Sequence, residues 1–125
     1  MPEFSNQPVV SFTQIRRFLV VSLTDRITRD MIESVMKTVL ERAAVDVRGV
    51  LLNYAMVDIM DSTAFNAFRD ITAALDVMGI PSVWVGMQPG VVCSLLDLGV
   101  DFEYSPICSA CTLDDGISLL ERSGG

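Results

Sequence analysis

The stretch GVLLNYAMVDIMDS, residues 49–62, contains the change from β-strand to α-helix that decides the fold class. Its first part, residues 49–54, is a mainly apolar run of strand length, typical of a strand covered on both faces in a parallel sheet. From Ser62 to Met78, apolar residues recur at the spacing of one helical face. Residues 57–64 are therefore predicted to be a short connection between a buried strand and the N-terminus of a helix.

The segments on both sides continue this alternation of strands and helices. Upstream, a β-hairpin with a charged turn at residues 14–17 is followed by the clearest amphipathic helix of the chain, residues 28–44. The elements predicted downstream are a strand at 82–86, a helix at 89–99, a short strand near Phe102 and Tyr104, and a helix capped by Thr112. This pattern predicts an α/β fold, with a mixed, mostly parallel sheet packed against amphipathic helices.

Length and charge limit the classes of protein that the chain can belong to. With 125 residues, half of them apolar, we expect a single domain over residues 1–125 with its core at about 9–121. The net charge of −7 opposes non-specific attraction to nucleic acid or to an anionic membrane. The N-terminal residues lack the features of a signal peptide, and no apolar run approaches the length of a membrane span. We therefore expect a cytoplasmic protein.

The residue inventory excludes several kinds of catalytic and metal site. The chain has no histidine, which removes Ser-His and Cys-His nucleophile pairs. Cys108 and Cys111 have C-x-x-C spacing, but Cys93 is the only other cysteine, and a structural zinc site needs four ligands. The glycine-rich phosphate-binding motifs G-x-x-x-x-G-K-[ST] and G-x-G-x-x-G are both missing from the sequence. We expect reduced thiols, no metal, no cofactor and no enzymatic activity.

The connection at residues 57–64 has two interpretations. Asp61, Ser62 and Thr63 are all good N-cap residues, which satisfy the free N–H groups of a helix start. A hydroxyl at the same place is also well positioned to accept a phosphate, because the helix N-terminus favours an anion. Phosphate would add about −1.5 to −2 charges beside Asp58 and Asp61, and that surface would repel an acidic partner. From these residues alone, both interpretations stay open.

Two stretches of the chain resemble a known family. Residues 49–62 resemble the strand, loop and helix start of STAS domains, named for sulfate transporters and anti-sigma-factor antagonists, in which Asp-Ser opens the helix and the serine is phosphorylated. Residues 78–99, MGIPSVWVGMQPGVVCSLLDLG, resemble the corresponding strand and helix of the RsbS and RsbR branch of that family. The G-x-Q-P and L-x-L-G of this second stretch make the resemblance more specific than Asp-Ser alone. It extends from about Val9 to Leu120.

The resemblance implies a non-enzymatic scaffold. Proteins similar to RsbS co-assemble with RsbR-type paralogues into a stressosome and sequester a switch serine/threonine kinase of the RsbT type. Stress-triggered phosphorylation of the scaffold then releases that kinase, and an RsbX-type phosphatase belongs to the same implied set of partners. The role implied for this chain is regulation of a general stress response as part of a homo- or hetero-oligomer.

Carried over onto this sequence, the resemblance puts the phosphoacceptor at Ser62, with Asp58 and Asp61 as charged residues of the switch surface. Thr63 occupies the position that carries the phosphoserine in simple sporulation-type antagonists, so it is the fallback acceptor. Ser94 lies where RsbR-type proteins carry a second phosphorylatable threonine, and it is the third candidate.

Other functions remain as alternatives. The nearest is a simple anti-sigma-factor antagonist that binds an anti-sigma kinase one to one, although such antagonists usually have a glycine where this chain has Ala64. A small-molecule-sensing STAS module is a second alternative. An enzyme that uses Asp58 and Asp61 as an acid/base pair is disfavoured, because carboxylates three residues apart in a loop are more simply explained as exposed or capping groups.

Overall fold

The strands and helices alternate along the chain and form one mixed β-sheet with helices on both faces. The computed structural model describes residues 10–27, 29–102 and 107–123. The strands are β1 (Val10–Ile15), β2 (Phe18–Arg26), β3 (Gly49–Ile59), β4 (Ser82–Val85) and β5 (Ser109–Ala110). The helices are α1 (Arg29–Ala43), α2 (Ser62–Val77), α3 (Pro89–Asp97) and α4 (Leu113–Ser123). The predicted α/β class is confirmed.

The strand order of the sheet follows the chain, β1-β2-β3-β4-β5. β1 and β2 pair antiparallel, whereas β2 to β5 are parallel, so the sheet is mostly parallel as predicted. The hairpin turn consists of Arg16 and Arg17 and is shorter than the predicted 14–17, because Ile15 still pairs with Phe18. Arg16 has a φ of 57°, the left-handed conformation that such tight hairpin turns require.

Apolar side chains cover both faces of the sheet, as parallel strands require. Val50, Leu52 and Tyr54 of β3 belong to the core formed with α1, α2 and α3. Leu51 belongs to a second core on the other face, where Leu120 of α4 packs. This alternation follows from the two-residue period of a strand. It puts α2, which carries the predicted acceptor, on the face covered by three helices.

α4 approaches the sheet closely because it carries Gly116 at the contact. A Cβ atom at Gly116 would lie 2.6 Å from Cδ2 of Leu51 and 2.8 Å from Cγ2 of Val85. Both distances are too short for a methyl group. Leu51 is fully buried, so close packing prevents it from turning away. The absence of a side chain at Gly116 therefore sets the distance between α4 and the sheet.

β3 is longer than the apolar run that predicted it. It continues to Ile59 because the last part of β2, up to Arg26, still pairs with it. The expectation that residues 57–64 form a loop is therefore wrong, since the connection to α2 consists of Met60 and Asp61. The chain passes from the sheet into the helix almost without a loop.

The extension of β3 after Tyr54 is mostly exposed to solvent, which explains why it was not recognised in the sequence. Val57 is buried, whereas Asp58 and Ile59 are exposed. A largely solvated strand end can carry a charged residue such as Asp58, so it lacks the continuous apolar run of a fully buried strand. Asp58, predicted as a loop residue of the switch surface, projects instead from the end of a strand.

The strand predicted near Phe102 and Tyr104 is wrong at Phe102, which lies outside any strand. The Phe102 ring packs edge-on against Phe65 of α2, with the ring centroids 5.2 Å apart, so this residue serves the core instead of extending the sheet. The fifth strand is formed by Ser109–Ala110. Tyr104 lies outside the described residues.

Candidate functional site

The start of α2 is closed by a side-chain cap at Asp61. Asp61 has an extended backbone, with φ −94° and ψ 176°, and its Oδ1 accepts a hydrogen bond of 2.8 Å from the backbone nitrogen of Ala64. Its carbonyl oxygen accepts a second bond, of 3.0 Å, from the nitrogen of Phe65. Of the three N-cap candidates, Asp61 has this role. The hydroxyls of Ser62 and Thr63 are not needed for it.

Ser62 is the first residue of α2, at the predicted helix start, and its side chain is half-buried. N–H groups in the first turn of a helix have no carbonyl partner inside the helix, and the helix dipole makes this end positive. Both properties favour an anion beside Ser62. Asp58 and Asp61 are exposed, so a phosphate on Ser62 would join two carboxylates on this surface.

A groove of about 350 Å³ begins at Ser62 and runs along α2. One wall consists of Ser62, Asn66 and Arg69, and the other is the turn after α3, residues 98–101. We call this cavity the α2 groove. Gly99 in the second wall has a φ of 89°, a left-handed conformation that is common at the end of a helix. That turn brings the chain after α3 back alongside α2.

Both walls of the α2 groove carry charge. Arg69 supplies the positive charge among the described lining residues, and Asp101 supplies a negative charge from the opposite wall. The Cζ atom of Arg69 lies 5.8 Å from the centroid of the Phe65 ring, a distance at which a cation is attracted to an aromatic ring. Phe65 lies one turn closer to the helix start than Arg69 does. The guanidinium therefore lies over a ring that is one turn nearer to the helix start.

The G-x-Q-P sequence at residues 86–89 has a packing role beside this site. Gly86 has a φ of 74°, and a Cβ atom on it would lie 3.1 Å from the Cβ atom of Ala55 in β3. The side-chain nitrogen of Gln88 donates a hydrogen bond of 2.9 Å to the carbonyl oxygen of Ala55. Pro89 is the first residue of α3, where its missing N–H costs nothing. The motif thus fixes the start of α3 against β3.

The core beneath α2 contains a buried tyrosine. The Tyr54 ring centroid lies 5.3 Å from that of Phe68 and 5.0 Å from that of Trp84. No described residue makes a hydrogen bond with the Tyr54 hydroxyl. Burial raises the pKa of Tyr54 well above its ordinary value, because loss of water disfavours the charged phenolate. Tyr54 is a core residue and is not part of the α2 groove.

Comparison with solved structures identifies the fold. RsbS from Moorella thermoacetica, in a variant that replaces a serine by glutamate, is 19% identical, with 91% of this chain and 96% of that chain covered and a TM-score of 0.76. The stressosome structure matches with 18% identity, coverage of 90% and 97%, and a TM-score of 0.69. The phosphorylated form of the Bacillus cell fate determinant SpoIIAA gives 14% identity, coverage of 89% and 98%, and a TM-score of 0.65. The chain has the STAS fold.

The STAS fold predicted from residues 49–62 and 78–99 is therefore confirmed. The likeness is one of backbone architecture, since sequence identity to these structures is low. No protein-family model matches the sequence, and no curated protein sequence matches it.

In this STAS fold, the predicted site residues fall into two places. Asp61, Ser62 and Thr63 are consecutive at the β3–α2 junction, and Asp58 precedes them at the end of β3. Thr63 is exposed but does not line the α2 groove. Ser94 is exposed on α3 and is likewise absent from the groove walls among the described residues. Ser62 is thus the candidate acceptor that borders the cavity.

Asn66, Arg69 and the turn at residues 98–101 were not predicted as site residues. Asn66 and Arg69 follow Ser62 by four and seven residues, which puts all three on one side of the helix. This spacing is visible in the sequence, so the first wall of the α2 groove could have been found. The second wall could not have been found, because no local sequence pattern indicates that the turn after α3 packs beside α2.

In the described ranges of the chain there is neither a cluster of metal ligands nor a helix that could span a membrane. No group of three or more His, Cys, Asp or Glu side chains in them could hold a metal ion. Cys93 is exposed on α3, and the exposed Cys108 and Cys111 lie on either side of β5. Within the same ranges, no helix is long and apolar enough to cross a bilayer.

Proposed function

We propose that this STAS-fold protein is a non-enzymatic cytoplasmic scaffold of the RsbS type, which sequesters a switch serine/threonine kinase and releases it when Ser62 is phosphorylated. One observation carries the proposal. Asp61 caps α2 through its 2.8 Å bond to the nitrogen of Ala64, so the half-buried Ser62 hydroxyl at the next position is not needed for the cap. It sits at the positive end of the helix, which favours an added phosphate.

The similar structures support this proposal. Moorella RsbS was solved with a serine replaced by glutamate, another match is the stressosome, a signal integration and transduction hub, and SpoIIAA was solved in a phosphorylated form. By analogy, the proposed partners of this chain are an RsbT-type kinase, an RsbR-type STAS paralogue in a mixed oligomer, and an RsbX-type phosphatase.

The proposed switch acts through charge. A kinase bound over the β3–α2 junction would cover the exposed apolar side chains of Met56 and Ile59 together with Ser62. Phosphorylation would add about −1.5 to −2 charges next to Asp61, on a chain whose net charge is already −7. Burying that charge in an interface without a matching cation is costly. The kinase is therefore released.

Incubation with an RsbT-type kinase and ATP, followed by mass spectrometry, tests the acceptor. We expect phosphate on Ser62, accompanied by loss of the kinase complex in size-exclusion chromatography. Thr63→Ala is the matched control, because Thr63 is adjacent and exposed, and this variant should still be modified and still release the kinase. The mechanism is wrong if neither Ser62 nor Thr63 is modified.

A simple anti-sigma-factor antagonist is the second candidate, favoured by the likeness to SpoIIAA. Phosphate on Thr63, with Ser62 unmodified, would support it. Light scattering separates the two functions, because the scaffold should build a large particle with an RsbR-type partner. The simple antagonist should remain small and bind its kinase one to one.

A further inference from the structure

Three polar side chains of α2 line one cavity. Ser62, Asn66 and Arg69 are separated by four and then three residues, and all three line the α2 groove. Residues at these spacings lie on one side of a helix, one above the other. The acceptor proposed above therefore shares its helix face with an amide and a guanidinium.

The side chain of Arg69 reaches the ring of Phe65, which lies one turn nearer to Ser62. Side chains in a helix lean toward the N-terminus, and Ser62 lies in that direction, about 10 Å away along the axis at 1.5 Å per residue. The position of the guanidinium agrees with this, because its Cζ atom lies 5.8 Å from the ring of Phe65, one turn nearer to Ser62. A phosphoryl group on the Ser62 oxygen would lengthen this side chain and shorten the distance between residue 62 and the guanidinium of Arg69.

We propose that the α2 groove is an intramolecular phosphate site, in which Arg69, assisted by Asn66, binds the phosphoryl group of phosphorylated Ser62. This proposal rests on the proposed function for the identity of the modified residue. A guanidinium can give two parallel hydrogen bonds to phosphate oxygens, and an amide nitrogen can donate further ones. The N–H groups of Ser62 and Thr63, which the two bonds to Asp61 do not use, would face the same phosphate.

The negative charges around the groove would repel a phosphate on Ser62, so the phosphate needs a positively charged partner. A phosphate on Ser62 would lie beside Asp61, which is exposed, and across the groove from Asp101. Arg69 is the cation among the described residues of the groove walls. By holding the phosphate inside the groove, Arg69 would offset the repulsion from both carboxylates. The phosphorylated state would then have a defined conformation, and it would keep a net negative charge toward a bound kinase, because the phosphate carries about −1.5 to −2 charges and Arg69 supplies one positive charge.

Phosphoserine placed at position 62 of the full chain during translation allows a test without any kinase. The second pKa of the phosphate, roughly 6 for an exposed phosphoserine, is measured by phosphorus NMR titration in the otherwise unchanged chain and in Arg69→Gln. A nearby guanidinium favours the dianion and lowers this pKa. We expect Arg69→Gln to raise it by about half a unit, and Arg69→Lys to restore part of the difference.

Two controls make the result specific. Arg48→Gln removes one exposed positive charge that does not line the α2 groove, and it should leave the phosphate pKa unchanged. Phosphoserine at position 63, in place of the exposed Thr63 outside the groove walls, should respond little to Arg69→Gln. Circular dichroism of each variant checks that the fold is retained.

The proposal is overturned if Arg69→Gln leaves the pKa of the phosphate at position 62 unchanged, or if Arg48→Gln shifts it equally. Neither result depends on a kinase, because the phosphate is installed during translation. A positive titration combined with no phosphorylation of Ser62 by the kinase would keep the phosphate site and reject the proposed function. Phosphorylation of Ser62 by the kinase, combined with a phosphate pKa that does not respond to Arg69→Gln, would keep the proposed function and reject the phosphate site.

Discussion

The carboxylate of Asp61 and the backbone nitrogen of Ala64 are joined by a 2.8 Å hydrogen bond that starts α2. Asp61→Ala removes this cap and should lower the free energy of unfolding by about 1 kcal/mol. Ser62→Ala should lower it clearly less, because the serine hydroxyl does not make the cap bond. Urea denaturation at neutral pH measures both. Equal losses in the two variants would contradict the assignment of the cap to Asp61.

The proposed switch at Ser62 predicts opposite behaviour for two substitutions. Ser62→Ala cannot be phosphorylated and should hold an RsbT-type kinase even when ATP is present. Ser62→Asp adds about half the charge of a phosphate, so it should weaken the complex only in part and make its affinity depend on salt. Binding measured at low and high salt checks this. Full release from Ser62→Ala in the presence of ATP would reject Ser62 as the switch.

The contact between α4 and the sheet predicts the effect of a single methyl group. Gly116→Ala should destabilise the protein by up to about 2 kcal/mol. The new Cβ atom would press on buried Leu51 at a cost of about 1–3 kcal/mol, offset in part by a gain in helix propensity of up to about 1 kcal/mol. Gly90→Ala in α3 is the matched control, since a Cβ atom there meets nothing within 4 Å. It should be neutral or stabilising. Similar effects of the two substitutions on thermal unfolding would contradict the close approach of α4.

Removal of the Tyr54 hydroxyl should not weaken the fold. The hydroxyl loses its water on burial without gaining a bond among the described residues. Tyr54→Phe is therefore expected to leave the free energy of unfolding at pH 7 unchanged or higher by up to about 1 kcal/mol. Urea denaturation measures the difference. A clear loss of stability would instead indicate a bonded partner, such as a buried water.

The pH dependence of stability gives a separate test of Tyr54. Its pKa in the folded protein is raised above that of an exposed tyrosine, which is about 10. The unfolded chain therefore loses this proton first, so the contribution of Tyr54 to stability is complete below pH ~10 and decreases as the pH rises above it. Above that pH, wild type should lose free energy of unfolding more steeply than Tyr54→Phe. Parallel curves would contradict the raised pKa.

Local patterns were sufficient for most elements of the fold. The spacing of Phe65, Phe68, Ile71, Leu75 and Met78 predicted α2. The first four side chains are buried, whereas Met78 is the exposed C-cap of the helix. Pro89 predicted the first residue of α3 for a purely local reason, its fixed φ and missing N–H. Such features depend on neighbours in sequence, which is why they could be recognised without a structure.

The remaining features depend on tertiary contacts. The end of β3 was not predicted, because Asp58 and Ile59 are exposed and give no sign of a buried strand. Their strand conformation comes from the pairing of β3 with β2. Phe102 was assigned to a strand from its residue type, but its ring packs against Phe65 instead. The candidate acceptor at the start of α2 was located from the Asp-Ser pair, whereas the second wall of the α2 groove comes from a turn more than thirty residues away in sequence.

The short connection of Met60 and Asp61 between β3 and α2 constrains any enzyme that modifies Ser62. A residue in a flexible loop can be drawn into the cleft of another protein as an extended peptide. Ser62 cannot be displaced in that way, because Met60 is buried and Asp61 holds the first turn of the helix. Such an enzyme has to dock against the intact end of the domain and recognise its shape. A free peptide that spans residues 57–67 should therefore be a poor substrate, although it contains every neighbour of the acceptor in sequence.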